Sequence, residues 1–154
     1  MKKIIEELER NEIEYEKHKH APVITSSEAA KIRKTKLNMG AKALLFIADG
    51  IPIILVVPGD RKADTKKFKE VFSIKDLRMA TGEELKECTG LEKGALPPIG
   101  SVFSIQSYFD NELKKNDKVA FNAGSRSISI VMSSKDLIEM EKPILGSFSK
   151  PAGT

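Results

Sequence analysis

The stretch AKALLFIADGIPIILVVPGD, residues 41–60, contains two apolar runs joined by the dipeptide Asp49-Gly50. This dipeptide readily adopts the positive φ angles of a two-residue hairpin turn. The runs therefore predict antiparallel strands at 42–48 and 51–57. Because both runs are almost entirely apolar, we expect both faces of the hairpin to be covered and the hairpin to lie centrally in a sheet.

Helices and further strands are predicted on either side of this hairpin. An apolar stripe predicts a helix over residues 2–11. Helix N-cap residues precede four further segments: Thr25, Asp64, Thr81 and Ser134. These segments predict helices ending near Ile32, over 65–72, ending by Gly90 and over 135–141. Apolar runs predict strands at 77–80, 101–107, 118–122 and 126–132, the last with one buried face and one polar face that carries Ser127 and Ser129.

These elements describe a single α+β domain. We expect a curved mixed sheet or partial barrel of about six strands with four to five surrounding helices. The sequence contains no repeat and no linker, so residues 1–142 are predicted to form the domain. The Gly, Ser and Pro content of residues 143–154 predicts a flexible C-terminal tail.

Composition excludes several classes of protein. No apolar run approaches the 18 residues of a membrane span, and the amino terminus lacks the apolar core of a secretory signal, which predicts a cytoplasmic protein without a membrane partner. The net charge is +4, and the basic residues cluster at 31–36 and 60–69. Such clusters suit a polyanion such as RNA, with Lys31, Arg33 and Lys66 as candidate phosphate contacts, or they are solvated surfaces.

Residues with catalytic or metal-binding chemistry are few. His18 and His20 alternate as metal ligands on a strand would, but no third ligand follows at a suitable spacing, so neither a metal nor a cofactor is predicted. Cys88 has the surroundings of a half-buried thiol rather than a nucleophile. What remains is Lys42 with two glycine turns, GALPPIG (94–100) and NAGSR (122–126). Backbone amides in such turns can form an anion-binding concavity, although both can equally be ordinary surface turns.

A set of ordered landmarks gives these turns a context. With them the chain resembles the YbaK/prolyl-tRNA synthetase-associated domain family of aminoacyl-tRNA editing proteins. The resemblance implies hydrolysis of amino acids wrongly attached to tRNA, mostly proline tRNA, by a protein acting in trans without a metal. The landmarks, in chain order, are His20-x-Pro22, Thr25, Lys42, PGDRKAD (58–64), Thr89-Gly90, GALPPIG and Asn122-Ala123-Gly124-Ser125.

The resemblance also implies roles for particular residues. The family's lysine falls on Lys42, and its Gly-x-x-x-Pro loop falls on Gly94 and Pro98. Because proline has no amide hydrogen, Ala95 or Leu96 is the expected donor to the ester carbonyl. The residues expected to bind substrate are His20, Thr25, Asn122, Gly124 and Ser125. The expected tRNA contacts Lys31, Arg33 and Lys66 come from the basic clusters and not from the resemblance.

Departures from the family pattern leave the substrate open. Many members carry a second glycine or another small residue where this chain has Ala95, and Pro97 doubles the loop proline. Alanine is the leading expectation because a synthetase cannot exclude a proline mimic of that size, while serine, cysteine and threonine remain open. Two alternatives also remain: a module that binds aminoacyl-tRNA or a nucleotide without hydrolysis, and a regulatory partner of a synthetase that docks through residues 2–11 or the segment after Pro143.

Overall fold

A computed structural model describes residues 2–23 and 25–152. Within these residues there are five α-helices and ten β-strands. The helices are α1 Lys2–Arg10, α2 Ser26–Arg33, α3 Thr65–Phe72, α4 Gly82–Thr89 and α5 Ser134–Glu141. The strands are β1 Tyr15–Lys19, β2 Ala41–Ala48, β3 Ile51–Pro58, β4 Arg61–Ala63, β5 Leu77–Met79, β6 Gln106–Asp110, β7 Lys118–Asn122, β8 Ile128–Ser133, β9 Ile144–Gly146 and β10 Ser149–Pro151.

The strands form three open sheets. The largest has the order β5-β2-β3-β6-β9 and is mixed, since β6 runs parallel to both β3 and β9. An antiparallel sheet has the order β1-β8-β7, and β4 pairs with β10. The predicted α+β class is confirmed. The strands are more numerous than the six expected, because short polar segments such as β1 and β4 carry little apolar signal.

The hairpin of residues 41–60 lies at the centre of the largest sheet, as predicted. Asp49 has φ 47° and Gly50 has φ 82°, which closes the turn between β2 and β3. Alternate residues of the hairpin enter two separate apolar clusters. Leu45 and Ile54 belong to one cluster, and Phe46 belongs to the other. Both faces are therefore covered, and the hairpin is the partition between two cores.

Side-chain caps position three of the helices as predicted. The Thr25 hydroxyl accepts a hydrogen bond from the Glu28 amide, and Asp64 accepts one from the Lys67 amide. Thr81 forms the complete reciprocal capping box expected before α4. The fifth helix begins one residue earlier than predicted, because Ser133 provides its N-cap.

Two strand predictions need correction. Residues 100–103 form a short 3-10 helix, and β6 begins only at Gln106. The chain folds back tightly here, since Ile105 donates to the Gly100 carbonyl at 3.1 Å, so an extended path through 101–105 is impossible. The polar face predicted for β8 is also wrong. Ser129 is fully buried because its hydroxyl is enclosed by polar partners described below.

The segment after Pro143 differs most from expectation. It forms β9 and β10 instead of a flexible tail up to residue 152. Phe148 is fully buried, and its ring meets that of Phe68 edge-on at 5.2 Å between centroids. The small and polar neighbours of Phe148 concealed this anchor in the composition. Burying a phenylalanine side chain stabilises the fold by about 1.5–3 kcal/mol, which adds to the strand pairing that holds the segment in place.

The amino-terminal helix also belongs to the core. Ile4 and Leu8 of α1 are 1% and 0% exposed, and both enter the first apolar cluster. The apolar stripe of α1 is thus used within the domain, which argues against docking through this stripe. Across the described part of the chain, every helix is too short or too polar to cross a bilayer.

Candidate functional site

A pocket of about 400 Å³ opens at one edge of the central hairpin. It exists because β5 pairs with β2 only at residues 46–48, which leaves the preceding part of that edge open. Helix α2, the loop 91–100 and the end of β7 enclose the space. Its polar lining residues are Thr25, Ser26, Arg33, Lys42, Lys93, Asn122 and Arg126. Its remaining lining residues are alanines, other apolar residues and three glycines.

The loop 91–100 forms one wall of the pocket. Ala95 donates its amide to the Glu92 carbonyl at 3.1 Å, which closes a tight turn. Gly94 has φ 89° in this turn, and a Cβ atom there would lie 3.1 Å from Cδ of Arg126. Glycine is therefore required both by the backbone conformation and by the neighbouring side chain. Residues 95–100 are buried, so the two prolines pack inward and fix the path of the loop.

Two hydrogen bonds tie this loop to the turn 122–126. The Asn122 side-chain amide donates to the Gly94 carbonyl at 2.6 Å, and the Gly124 amide donates to the Ala95 carbonyl at 2.9 Å. The Ala95 amide is already used within the loop. Among the described residues, the amide of buried Leu96 has no protein acceptor. The amides of Lys93 and Gly94 likewise have no acceptor there, and all three residues line the pocket, so Leu96 is one of three loop residues whose amides are available to a ligand.

Arg33 extends into the pocket from the end of α2. Its Nε donates to Ser129 Oγ at 2.8 Å and its Nη2 donates to Asn122 Oδ1 at 2.9 Å. Burial lowers the pKa of Arg33 to about 10, so the guanidinium stays charged at neutral pH. Among the described residues, no carboxylate forms an ion pair with it. A half-buried cation held only by neutral groups is arranged to receive an anion.

His20 supports Arg33 from behind the pocket. Its Nδ1 lies 2.9 Å from the Ala21 carbonyl, and its Nε2 lies 2.7 Å from Ser129 Oγ. Since a carbonyl can only accept, Nδ1 carries the hydrogen and Nε2 accepts from the serine hydroxyl. The serine oxygen is then free to accept from Arg33. His20 thus orients the Ser129 hydroxyl rather than lining the pocket.

Lys42 enters the pocket from the open edge of β2. Its Nζ donates to the Arg61 carbonyl at 2.9 Å. Burial lowers the pKa of Lys42, and the nearby carboxylate of Asp60 opposes that change. An ammonium has three donors, and the carbonyl uses one of them. The remaining donors are available to a ligand in the pocket.

A close approach of two chain segments forms the floor beside Lys42. The Gly59 amide donates to the Gly40 carbonyl at 2.8 Å. A Cβ atom on Gly59 would lie 2.5 Å from the Leu37 carbonyl oxygen, so no larger residue fits there. Both glycines line the pocket, and they let two backbones meet where a side chain would fill the space.

The structure brings together six of the predicted site residues as pocket lining, namely Thr25, Arg33, Lys42, Gly94, Leu96 and Asn122. Four others lie one layer behind, namely His20, Ala95, Pro98 and Gly124. Ser125 is used in its own turn, where its hydroxyl accepts from the Ser127 amide. Lys31 and Lys66 are exposed and do not line the pocket. The helical period places Lys31 on the side of α2 opposite Ala29, Ala30 and Arg33.

Sequence reasoning missed three pocket residues that lie inside motifs it had noted. Lys93 precedes the loop glycine, Arg126 ends the NAGSR turn, and Gly59 belongs to PGDRKAD. Their signal was a glycine that marks where backbone and side chains approach closely: Gly94 next to Lys93, Gly124 near Arg126, and Gly59 itself. With them, the described pocket lining contains four cationic side chains and no carboxylate.

No group of three or more His, Cys, Asp or Glu side chains suited to a metal ion occurs within residues 2–23 and 25–152. His18 instead lies 3.9 Å from a carboxylate oxygen of Glu16, on the exposed side of β1.

Comparison with known proteins identifies related chains. Residues 20–140 match the family described as aminoacyl-tRNA editing domain. The Ser/Thr-tRNA deacylase ProXp-y of Escherichia coli is 28% identical over 138 residues, which cover 86% of this chain and 83% of that protein. A proline–tRNA ligase of Solidesulfovibrio magneticus is 39% identical over 90 residues, 58% of this chain but 15% of the ligase. The fold matches the crystal structure of a candidate trans-editing enzyme for prolyl tRNA synthetase with TM-score 0.84 and 22% identity, over 97% of this chain and 96% of that one.

Proposed function

Because this chain belongs to the aminoacyl-tRNA editing domain family, we propose that it hydrolyses small amino acids wrongly attached to proline tRNA, acting in trans. The enzyme class is an aminoacyl-tRNA deacylase, an ester hydrolase. The carrying observation is the pocket beside β2, which is lined by four cationic side chains and by a loop with unpaired amides, with no carboxylate among the described lining residues.

The charge of the pocket suits the 3′ end of a tRNA. Arg33, Lys42, Lys93 and Arg126 present cations to a space whose other lining is mostly apolar, with Thr25, Ser26 and Asn122 as neutral polar groups. Phosphate groups are the anions that arginine forks and lysine ammoniums bind best. We therefore assign these residues to the terminal nucleotides, and we place Lys42, which is partly buried on the edge of β2, next to the ester.

The chemistry requires positioning rather than a covalent intermediate. Water attacks the carbonyl carbon of the aminoacyl ester and forms a tetrahedral oxyanion. The C–O bond to the terminal ribose then breaks, the ribose oxygen takes a proton, and the amino acid leaves as a carboxylate. In this proposal the Leu96 amide donates to the oxyanion, and Lys42 stabilises charge in the carbonyl region. Donors fixed in advance at such a position can supply much of the rate acceleration.

The pocket favours a small amino acid. Ala29, Ala30 and Leu37 offer an apolar wall, which suits the methyl group of alanine. Thr25 and Asn122 add polar groups, which suit the hydroxyl of serine or threonine. The name of the Escherichia coli relative supports these hydroxylated residues, whereas the size argument supports alanine. We propose alanine, serine and threonine as the substrate class, with cysteine as a further member.

A relation to prolyl-tRNA synthetase follows from the same comparison. A segment of this chain is 39% identical to part of a proline–tRNA ligase. We propose that this chain acts on tRNA released by such a synthetase, as a separate editing domain.

The test is a deacylation screen with purified protein and proline tRNA carrying alanine, serine, threonine or cysteine. Wild-type protein should release at least one of the first three, and Lys42→Ala should slow release about 100-fold or more, the usual cost of losing a transition-state donor. Lys36→Ala is the matched control, because Lys36 is exposed and lies outside the pocket lining. Binding of every charged tRNA without release would instead indicate a non-catalytic binding module.

A further inference from the structure

The ammonium of Lys42 is anchored to a piece of main chain far from it in sequence. Lys42 alternates with Ala41 and Ala43, so its side chain emerges on the face of β2 shared by Leu44 and the second apolar cluster. That face carries β4, whose first residue provides the carbonyl that Nζ contacts at 2.9 Å. A lysine side chain has four flexible bonds, so this single hydrogen bond decides where the charge lies.

The position of that carbonyl is set by the C-terminal strand. Arg61 is paired with Pro151 in the register of β4 and β10. The Arg61 side chain reaches the same strand, since Nε donates to Ser149 Oγ at 2.6 Å and Nη2 donates to the Ser149 carbonyl at 3.0 Å. Backbone pairing and side-chain contacts thus hold Arg61 against β10, and its Nη1 also lies 3.9 Å from Oε1 of Glu112.

Ser149 is in turn held by a buried carboxylate. Asp110 is 1% exposed at the end of β6. Its oxygens accept from the Ser149 hydroxyl at 2.7 Å, from the Ser149 amide at 3.0 Å and from the Phe148 amide at 2.8 Å. A carboxylate that accepts several charge-assisted hydrogen bonds is a rigid anchor. A continuous set of hydrogen bonds therefore runs from Asp110 through Ser149 and Arg61 to Lys42.

We propose that Asp110, Ser149 and Arg61 are positioning residues for Lys42, so that the C-terminal segment 144–151 sets the geometry of the deacylation site. The role in the reaction rests on the function proposed above, whereas the placement of the ammonium does not. None of the three residues lines the pocket, and each acts through the next. Loss of the Ser149 hydroxyl removes the Nε contact of Arg61 and the link to Asp110, so the turn at residues 59–61 is held less firmly and can shift relative to the lysine.

The lysine itself reports this release. Burial lowers the pKa of Lys42 more than the carboxylate of Asp60 raises it. A loosened turn that admits water therefore raises that pKa towards its ordinary value, even though Asp60 moves away with the turn. Protein labelled with ¹³C and ¹⁵N at lysine is titrated by NMR, and Lys42→Arg identifies the Lys42 signal. We expect Ser149→Ala to raise the Lys42 pKa. We also expect it to slow single-turnover deacylation about 10-fold or more, because a displaced catalytic group no longer meets the reacting atoms in the right geometry.

Matched variants separate positioning from a general loss of structure. Ser147→Ala makes the same substitution two residues earlier, where the exposed hydroxyl accepts only from Asn111, and should leave the Lys42 titration unchanged. Ser149→Thr keeps the hydroxyl, so the Lys42 pKa in this variant should equal that of the wild type. If Ser149→Ala does not fold, Arg61→Met tests the same link at a half-buried position.

The outcome is decisive even if no substrate is found. An unchanged Lys42 titration in folded Ser149→Ala or Arg61→Met overturns the proposal. A shifted titration together with no deacylation by the wild type supports the positioning role and contradicts the proposed function instead.

Discussion

Two segments of this chain have similar compositions and opposite structural roles. The loop 91–100 and the segment 143–152 are both rich in Gly, Pro or Ser. The loop is exposed at Gly94 and buried from residue 95 onward. Its residues line the pocket directly. The C-terminal segment lies outside the pocket and forms two strands anchored by Phe148. The difference shows that a composition typical of a tail does not exclude an ordered segment. Ordering costs about 1–2 kcal/mol per residue, and the burial of Phe148 offsets that cost together with the pairing of β9 and β10 with their partner strands.

The largest expected effect is on stability, in the C-terminal segment. Phe148→Ala removes a fully buried ring that meets Phe68, and we expect a loss of about 3–5 kcal/mol in the free energy of unfolding, measured by urea denaturation. Leu145→Ala is the control, because that side chain is 38% exposed and should cost little. Equal and small losses in both variants would show that the segment behaves as a tail.

The next effect is on catalysis, at the pocket wall. Arg33→Met removes a cation that hydrogen-bonds Ser129 and Asn122, while keeping a long apolar side chain. Hydrogen bonds to charged groups contribute about 1.5–3 kcal/mol, so we expect kcat/KM to fall about 10- to 100-fold. Arg33→Lys keeps the charge but loses the planar guanidinium, so its kcat/KM should lie between those of the wild type and Arg33→Met. Wild-type kcat/KM in Arg33→Met would remove Arg33 from the site.

The smallest effect is expected from the exposed lysines outside the pocket. Lys31 and Lys66 remain predicted contacts for the body of the tRNA. Each alanine substitution should make the slope of log affinity against log salt concentration shallower by about 0.9, the value expected for one lost phosphate contact. The rate of deacylation in the bound complex should stay unchanged. Lys135→Ala on α5 is the control, since that exposed lysine is not expected to touch tRNA. Slopes identical to wild type would confine tRNA contacts to the pocket.

The sequence allowed some features to be predicted and concealed others for physical reasons. The hairpin of residues 41–60 and the caps Thr25, Asp64 and Thr81 depend on local signals, and all are confirmed. Ser129 was expected on a polar face because alternation cannot show that Arg33 and His20 come from elsewhere to cover it. Strands β9 and β10 were missed because three-residue strands are stabilised by partners distant in sequence.

The candidate site was predictable to a similar extent. Glycines at unusual backbone positions, such as Gly94, leave a trace in the sequence because no other residue fits. The link from Asp110 to Lys42 leaves none, since it joins residues from four separate strands.

The central claim is that the wall formed by Gly94 to Leu96 carries the deacylation. The most direct measurement is single-turnover deacylation of mischarged proline tRNA by wild type, Gly94→Val and Gly82→Val. Gly94 has φ 89° and meets Arg126, whereas a Cβ atom at Gly82 meets nothing within 4 Å. We predict a loss of about 100-fold or more for Gly94→Val and a near wild-type rate for Gly82→Val. Because valine is strained at a φ of 89°, Gly94→Val should also be less stable than the control, so the rates are compared under conditions in which both variants are folded. Equal rates for the two folded variants would contradict the placement of the reaction at this loop.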